Sequence, residues 1–155
     1  MRTLVLGLGN SILSDDNVGL CVAQALRGRF DEQEVTVMES DLAGLGLLDA
    51  LVGYQRAIIV DSIQTKEGKP GQIYRLGPED LMASRHSVSP HDVNLLTALE
   101  LGKTLELEVP QEVIIIAIEV TDVTTFGESC TPEVAAAIPQ AVEIVAREVK
   151  GETPV

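Results

Sequence analysis

Short apolar runs alternate with segments of helical periodicity along this chain, and this alternation constrains the fold more than any other feature. The most apolar run, Val113 to Ile118, contains no polar residue and is typical of a strand buried on both faces. Further strands are predicted over Thr3 to Leu8, Val35 to Glu39 and Arg56 to Asp61, and an antiparallel edge strand over Gln72 to Leu76. The alternation predicts an α/β fold, a three-layer sandwich in which a mostly parallel, twisted sheet of about five strands has helices on both faces.

Helical periodicity predicts the segments that cover this sheet. The predicted helices are one after the first strand with the apolar face Val18, Val22, Ala25 and Leu26, then Gly44 to Tyr54, Asp92 to Leu101, and a last helix that Thr131 caps and Pro132 opens. Ser14, with Asp15 and Asp16, predicts the N-terminus of the first of these helices. Pro139 predicts a kink or a restart in the last one, because proline has no amide hydrogen to donate. Ala83 to Pro90 is predicted to be a polar loop.

Composition excludes several classes of protein. The 155 residues predict a single domain over 1–150 and a frayed tail over 151–155. A net charge of −13, with two Tyr, two Phe and no Trp, is unfavourable for binding nucleic acid. No apolar run reaches the roughly 18 residues of a membrane span, and the first residues lack the apolar stretch of a signal peptide, so we expect a soluble, cytoplasmic protein that does not bind membranes. The distant Cys21 and Cys130 are expected to be reduced, with Cys21 filling the core.

Carboxylates from two separate segments are predicted to meet at the carboxyl edge of the sheet, where doubly wound folds bind ligands. Asp15 and Asp16 follow the first strand, and Asp61 ends the run Ile58 to Val60. A carboxylate that closes an apolar strand is costly to bury unless it is paired, hydrogen-bonded or bound to a metal. The alternative for Asp61 is that it only caps the following turn through Ser62. The alternative for Asp15 and Asp16 is that they only stabilise the first turn of a helix, where acids are common.

A histidine at a predicted helix start supplies a third segment. In the sequence Ser89-Pro90-His91-Asp92, serine suits the N-cap and proline the first helical position. The positive end of the helix dipole favours neutral imidazole at His91, which is the form that a metal ligand requires. The alternative is a surface histidine in a capped loop; His86 is expected to be exposed and is kept as a spare ligand. Two carboxylates and one imidazole suit a divalent ion such as nickel or zinc.

Two other families use some of the same residues. Gly7-Leu8-Gly9 after the first strand suggests dinucleotide binding, but Ile12 replaces the third glycine and the following acids oppose a pyrophosphate. An acidic pair after the first strand and an aspartate ending the third also resemble a response-regulator receiver domain, which holds magnesium. The lysine that such domains carry after their last strand is missing here, and the chain is longer.

A third resemblance explains more residues and extends through nearly the whole chain. Leu6 to Gly19, with the sequence LGLGNSILSDDNVG, resembles the opening motif of the nickel-iron hydrogenase maturation endopeptidases. Ile59 to Ser62 and Ser89 to His91 resemble that family's second and third signatures, and Cys130 to Val134 its final loop and helix. Two departures stand out: Asn17 replaces a common glycine, and Glu39-Ser40-Asp41-Leu42 replaces the typical Asp-Gly-Gly-Thr.

The resemblance implies a hydrolase, an aspartyl endopeptidase that removes a short C-terminal extension from the large-subunit precursor of nickel-iron hydrogenase after nickel insertion. It implies that Asp16, Asp61 and His91 are the metal ligands and the catalytic residues. The nickel would be supplied by the precursor, so the free enzyme need not retain it. The residues expected to contact substrate are Asn10, Asp15, Glu39 and Asp41. A non-catalytic nickel-binding chaperone on the same scaffold is the alternative.

Overall fold

Five strands form one twisted sheet in the computed structural model, which describes residues 2–10, 12, 14–40, 45–83, 90–122, 125–127 and 129–151. The strands are β1 (Thr3–Leu8), β2 (Val35–Ser40), β3 (Arg56–Ile63), β4 (Ile73–Leu76) and β5 (Glu112–Glu119). Their order is β2-β1-β3-β5-β4, and every neighbouring pair is parallel except β4 with β5. The mostly parallel sheet and the antiparallel edge strand are therefore confirmed.

The described residues also form five α-helices and one 3-10 turn, of which all but the last helix lie between strands along the chain. They are the 3-10 turn Asp15–Asn17, followed by α1 (Val18–Leu26), α2 (Leu45–Leu51), α3 (Pro78–Ala83), α4 (Pro90–Thr104) and α5 (Pro132–Val149). The short helix α3 was not predicted, and the predicted polar loop falls mostly on residues 84–89, outside the described residues. The predicted restart at Pro139 is wrong, because α5 runs through this residue as one helix, and the kink stays a prediction. No helix among the described residues is long and apolar enough to cross a membrane.

The helices cover both faces of the sheet and enclose two separate apolar cores. On one face α1 and α5 pack against Val5, Ile58 and Ile116. On the other face, α2 and α4 pack against alternate residues of the same strands. This arrangement confirms the three-layer sandwich. Ala25 is exposed, so the apolar face of α1 was predicted correctly at its other positions but not there.

Two glycines allow α1 to lie directly on the sheet. A Cβ atom added to Gly19 would lie 2.3 Å from the carbonyl oxygen of Leu8 and 2.5 Å from that of Val60. A Cβ atom added to Gly7 would lie 2.3 Å from the carbonyl oxygen of Gly19. These contacts are with backbone atoms, which cannot rotate away as a side chain can. The start of α1 is therefore fixed against the carboxyl ends of β1 and β3.

A buried ion pair fixes the opposite edge. Arg56, the first residue of β3, donates from Nη2 to Oε2 of Glu148 at 3.0 Å and from Nη1 to the Glu148 carbonyl at 2.5 Å. Arg75 in β4 contacts the other oxygen of this carboxylate. Only 3% of Glu148 is exposed, so the pair anchors the end of α5 at the edge away from the candidate site.

We expect Gly19→Ala to lower the free energy of unfolding by about 2 kcal/mol or more, since overpacking a close backbone contact is destabilising. Helix propensity acts in the opposite direction, because alanine in a helix is about 1 kcal/mol better than glycine. Urea unfolding decides between the two effects. Gly127→Ala is the matched control because an added Cβ there meets nothing within 4 Å. Equal stability of the two variants would contradict the close-approach interpretation.

Candidate active site

The chain doubles back immediately after β1 and places two acids over the end of that strand. The amide of Asn10 donates to the carbonyl of Asp16 at 3.1 Å, and the amide of Gly9 donates to Ser40 at 3.2 Å. A Cβ atom added to Gly9 would lie 2.2 Å from the Asp16 carbonyl oxygen, so only glycine permits this approach. The side-chain oxygen of Asn10 accepts a hydrogen bond from the amide of Ile12 at 3.1 Å, and this bond stabilises the turn.

Ser62 links the carboxylates of Asp16 and Asp61. Its hydroxyl donates to Oδ1 of Asp16 at 2.8 Å, and its amide donates to Oδ1 of Asp61 at 2.8 Å. Asp16 is half-buried, whereas only 2% of Asp61 is exposed. Two of the three predicted ligands are thus hydrogen-bonded to the same serine. It also corrects the predicted end of the third strand, because β3 continues past Asp61 to Ile63.

The placement of α4 bears on the third predicted ligand, His91. Asp61 points to the same face of the sheet as Ala57 and Ile59, which pack on the layer formed by α2 and α4. Pro90 is the first residue of α4, as predicted, and His91 is the second. Since α4 leads to the start of β5 at the amino edge, its own start lies towards the carboxyl edge.

Two histidines were predicted as a metal ligand and a spare ligand. The side chain of His91 and the whole of His86 lie outside the described residues. Among the side chains that are described, no three His, Cys, Asp or Glu residues form a metal-binding group. The three-ligand site of Asp16, Asp61 and His91 therefore stays a prediction.

Asp15 has a different environment from its neighbour Asp16. It is fully buried, and its Oδ2 accepts the amides of Thr121 at 3.0 Å and Asp122 at 2.9 Å. Its Oδ1 accepts the amide of Thr131 at 2.6 Å, and the Thr131 hydroxyl also donates to this carboxylate. A carboxylate enclosed in this way offers no open face to a substrate. We therefore assign Asp15 a structural role in place of the predicted substrate contact.

Glu39, another predicted substrate contact, lies near the end of β2. Glu39 accepts the side-chain amide of Gln24 at 2.7 Å and the guanidinium of Arg27 at 2.7 Å. These partners belong to α1 and the residue after it, so they hold the Glu39 side chain against the helix. Asp41 lies outside the described residues.

Glu119 is a polar residue at the same edge that the sequence reasoning did not single out. Only 2% of it is exposed, and it accepts the amide of Thr65 at 2.8 Å, the Thr65 hydroxyl at 2.6 Å and the Tyr74 hydroxyl at 2.9 Å. Burial and the bond to Glu119 raise the pKa of Tyr74. These bonds fix the loop that follows β3. The sequence signal was an acid closing an apolar strand, the same signal that identified Asp61.

The fold and this edge define a class of protein, an α/β protein in which two carboxylates are hydrogen-bonded to one serine at the carboxyl edge of the parallel sheet. The family model for the HycI hydrogenase maturation proteases matches residues 20–148. The chain therefore belongs to the hydrogenase maturation protease family, which confirms the resemblance found in its motifs.

Comparison with individual proteins agrees with this membership. The chain is 34% identical over 101 residues to the hydrogenase 2 maturation protease of Escherichia coli strain K12, a match that covers 64% of this chain and 62% of that protein, less than two thirds of its length. It is 24% identical over 149 residues to the hydrogenase expression/formation protein HupD of Rhizobium leguminosarum, covering 94% of this chain and 73% of HupD.

Solved structures show the same fold. The hydrogenase maturating endopeptidase HybD of E. coli superposes with a TM-score of 0.82 at 28% identity, covering 97% of this chain and 93% of that one. The nickel-iron hydrogenase maturation protease HybD of Thermococcus kodakarensis gives a TM-score of 0.77 at 25% identity, covering 96% and 99% of the two chains.

We expect Asp15→Asn to destabilise the protein by about 2 to 4 kcal/mol, because the new amide group points donors at backbone amides that now donate to a carboxylate. Urea unfolding measures the loss. Asp31→Asn is the control, since the exposed Asp31 accepts a single local amide that asparagine also accepts, and its effect should stay within about 0.5 kcal/mol. A difference of less than about 1 kcal/mol between the variants would argue against the structural role.

Proposed function

We propose that this chain is an endopeptidase that removes the C-terminal extension of a nickel-iron hydrogenase large-subunit precursor after nickel has been inserted. The observation that carries the proposal is the pair Asp16 and Asp61, linked by Ser62 at the carboxyl edge of the sheet. Membership of the maturation protease family and the likeness to solved endopeptidases support it.

The donor chemistry of this edge suits recognition of the precursor's nickel. Carboxylate oxygens and a neutral imidazole nitrogen are ligands that nickel accepts. In the proposal Asp16, Asp61 and His91 contact the ion that the precursor brings, and this contact sets which peptide bond lies beside the site. The hydrogen bonds from Ser62 orient the two carboxylates before the precursor arrives.

The residues of the chain also suit hydrolysis. Cleavage adds water across one peptide bond: the water oxygen bonds to the carbonyl carbon, the carbon–nitrogen bond breaks, and the released amine takes up a proton. A carboxylate beside the carbonyl accepts the proton of the attacking water and returns it to the amine. We assign this role to Asp16, because it is more exposed than Asp61.

Sheet topology disfavours the receiver-domain alternative. Receiver domains follow the flavodoxin-like strand order 2-1-3-4-5. Here the order is β2-β1-β3-β5-β4, with an antiparallel strand at one edge. The chaperone alternative has the same fold and the same ligands, so the precursor itself must distinguish it: only an enzyme shortens the precursor.

We expect Asp61→Asn and Asp16→Asn each to lower the processing rate of a nickel-loaded precursor by at least about 100-fold. Each substitution removes a negatively charged nickel ligand, and Asp16→Asn also removes the proposed base. His91→Ala should have an effect of similar size. The assay follows the shortened large subunit by mass spectrometry.

Two controls make this assay specific. Asp31→Asn changes an exposed carboxylate away from the site and should process at the wild-type rate, and thermal unfolding should show every variant folded. Precursor without nickel should remain uncleaved by the wild-type chain. Full processing by Asp61→Asn would refute the site, and binding of the precursor without shortening by the wild-type chain would favour the chaperone.

Two exposed apolar side chains border the site and fit the proposed contact with a protein substrate. Ile12 is 54% exposed and Phe126 is 77% exposed. Their loops are joined by bonds from Gly127 to the Ile12 carbonyl at 2.9 Å and from Ser14 to the Thr125 carbonyl at 2.9 Å. The Ile12 loop leads directly to Asp15 and Asp16, so a protein bound at Asp16 would lie close to both exposed side chains. Exposed aromatic residues are frequent anchors of protein interfaces.

We expect Phe126→Ala to raise KM for the precursor about tenfold with little change in kcat, since the side chain would bind substrate and transition state equally. Steady-state processing kinetics give both constants. The matched control is Leu105→Ala, a change at a 56% exposed apolar residue after α4. Equal KM values for these two variants would rule out a contact between Phe126 and the precursor.

A further inference from the structure

Ser14 is hydrogen-bonded through its hydroxyl, its amide and its carbonyl to a segment from the far end of the chain. The hydroxyl donates to the Ser129 carbonyl at 2.9 Å, and the amide donates to the Thr125 carbonyl at 2.9 Å. The Ser14 carbonyl accepts the thiol of Cys130, with 3.8 Å between sulfur and oxygen. Only 7% of Ser14 is exposed, so its hydroxyl is directed at this returning segment and not at solvent.

The hydroxyl of Ser14 does not have the role that the sequence predicts for it. An N-cap serine accepts a backbone amide of the first helical turn through its side-chain oxygen. Ser14 occupies the N-cap position of the 3-10 turn, but its side chain makes no capping bond within the described part of the chain. Local helix capping therefore does not explain this serine, and its bond to Ser129 remains to be explained.

Residues 125–127, which we call the exposed segment, are attached to the protein mainly through hydrogen bonds. All three residues are exposed, and Phe126 is 77% exposed. A Cβ atom added to Gly127 would meet nothing within 4 Å. The Gly127 amide donates to the Ile12 carbonyl at 2.9 Å, and the two bonds from Ser14 hold the residues on either side. With so little packing, the order of this segment depends on these bonds.

The same bonds join the exposed segment to the turn that carries Asp16. Ser14 directly precedes Asp15, whose amide donates to the Asp122 carbonyl at 2.8 Å. The side chain of Phe126 and the carboxylate of Asp16 are therefore presented by two segments that Ser14 holds side by side. A loop that is ordered before its partner arrives loses less conformational entropy on binding, so its contacts contribute more to affinity.

We propose that Ser14 is a positioning residue for precursor binding, whose hydroxyl holds the exposed segment so that Phe126 and Asp16 meet the precursor together. The surface of the precursor that fits this arrangement is an apolar patch beside its nickel ion. Ser14 acts through Phe126 and needs no contact of its own with the precursor. The inference rests on the proposed function, because it concerns the same precursor at the same edge of the sheet.

The test is a double-mutant cycle in the processing assay, with Ser14→Ala, Phe126→Ala and the double variant. We expect Ser14→Ala to raise KM for the nickel-loaded precursor about fivefold, with kcat within about twofold of the wild-type value. The value of kcat is preserved because Asp15 is held by the amides of Thr121 and Asp122 independently of the Ser14 hydroxyl. A serine with a merely structural role would lower the folded fraction, and with it kcat, and would leave KM unchanged.

The double variant distinguishes action through Phe126 from an independent effect. Its KM should equal that of Phe126→Ala, about tenfold above wild type, whereas independent effects would multiply to about fiftyfold. A multiplied KM would overturn the proposal, and so would an unchanged KM in Ser14→Ala. Ser14→Thr keeps the hydroxyl and should keep KM within about twofold of wild type.

Hydrogen exchange followed by NMR tests the tie without any precursor. Ser14→Ala should speed exchange of the Gly127 amide about tenfold and leave the Asp122 amide, which donates to Asp15, unchanged. The matched control is Thr104→Ala, which removes a similar bond from a hydroxyl to the Glu100 carbonyl at 3.0 Å on an exposed part of α4. Thr104→Ala should match the wild type in KM, in kcat and in exchange of Gly127. Unchanged exchange of Gly127 in Ser14→Ala would overturn the proposal.

The two proposals fail in different ways. Loss of processing in Asp61→Asn together with multiplied KM values in the cycle would overturn the role of Ser14 and leave the proposed function intact. A wild-type chain that does not shorten the precursor would overturn both.

Discussion

The buried carboxylate of Asp15 is the interaction on which the carboxyl edge of this sheet depends. It gathers the amides of Thr121, Asp122 and Thr131, which come from the end of β5 and from the turn before α5. A buried carboxylate is tolerated only when hydrogen bonds replace its lost hydration. Since the donors lie more than a hundred residues away in sequence, this one group joins the first and last parts of the chain where the candidate site is formed.

Glycine determines how close the same segment comes to the sheet. Gly7 and Gly19 let α1 rest on the backbone of β1 and β3, and Gly9 lets the chain turn back onto Asp16. The result is that Asp16 comes within reach of Ser62 on the neighbouring strand. The glycines that suggested a dinucleotide-binding loop therefore serve helix packing, which needs no third glycine at Ile12.

The sequence predicted the sheet and the positions of Asp16 and Asp61 at its carboxyl edge, because these features depend on local sequence. Apolar runs identify strands, parallel order brings their carboxyl ends together, and Asp61 interrupts an apolar run. It did not predict the contacts made by residues distant in the chain. An acid in a first helical turn looks the same whether it faces water or, as at Asp15, the returning end of β5. Glu39 was expected to contact substrate, and its bonds to Gln24 and Arg27 could not be predicted because only the packing of α1 brings these partners to it.

Asp15 and Asp16 are adjacent in sequence, but one is buried and the other is half-buried at the carboxyl edge of the sheet. The carboxylate of Asp15 receives its hydrogen bonds from fixed backbone amides, so its position is determined by the fold itself. That position fixes the backbone of Asp16, whose side chain remains half-buried and is oriented by one hydroxyl of Ser62. A side chain that must contact a substrate needs a fixed backbone and an accessible functional group. Because Asp15 also accepts bonds from Thr131, which directly precedes α5, the start of the last helix helps to fix the backbone that carries Asp16.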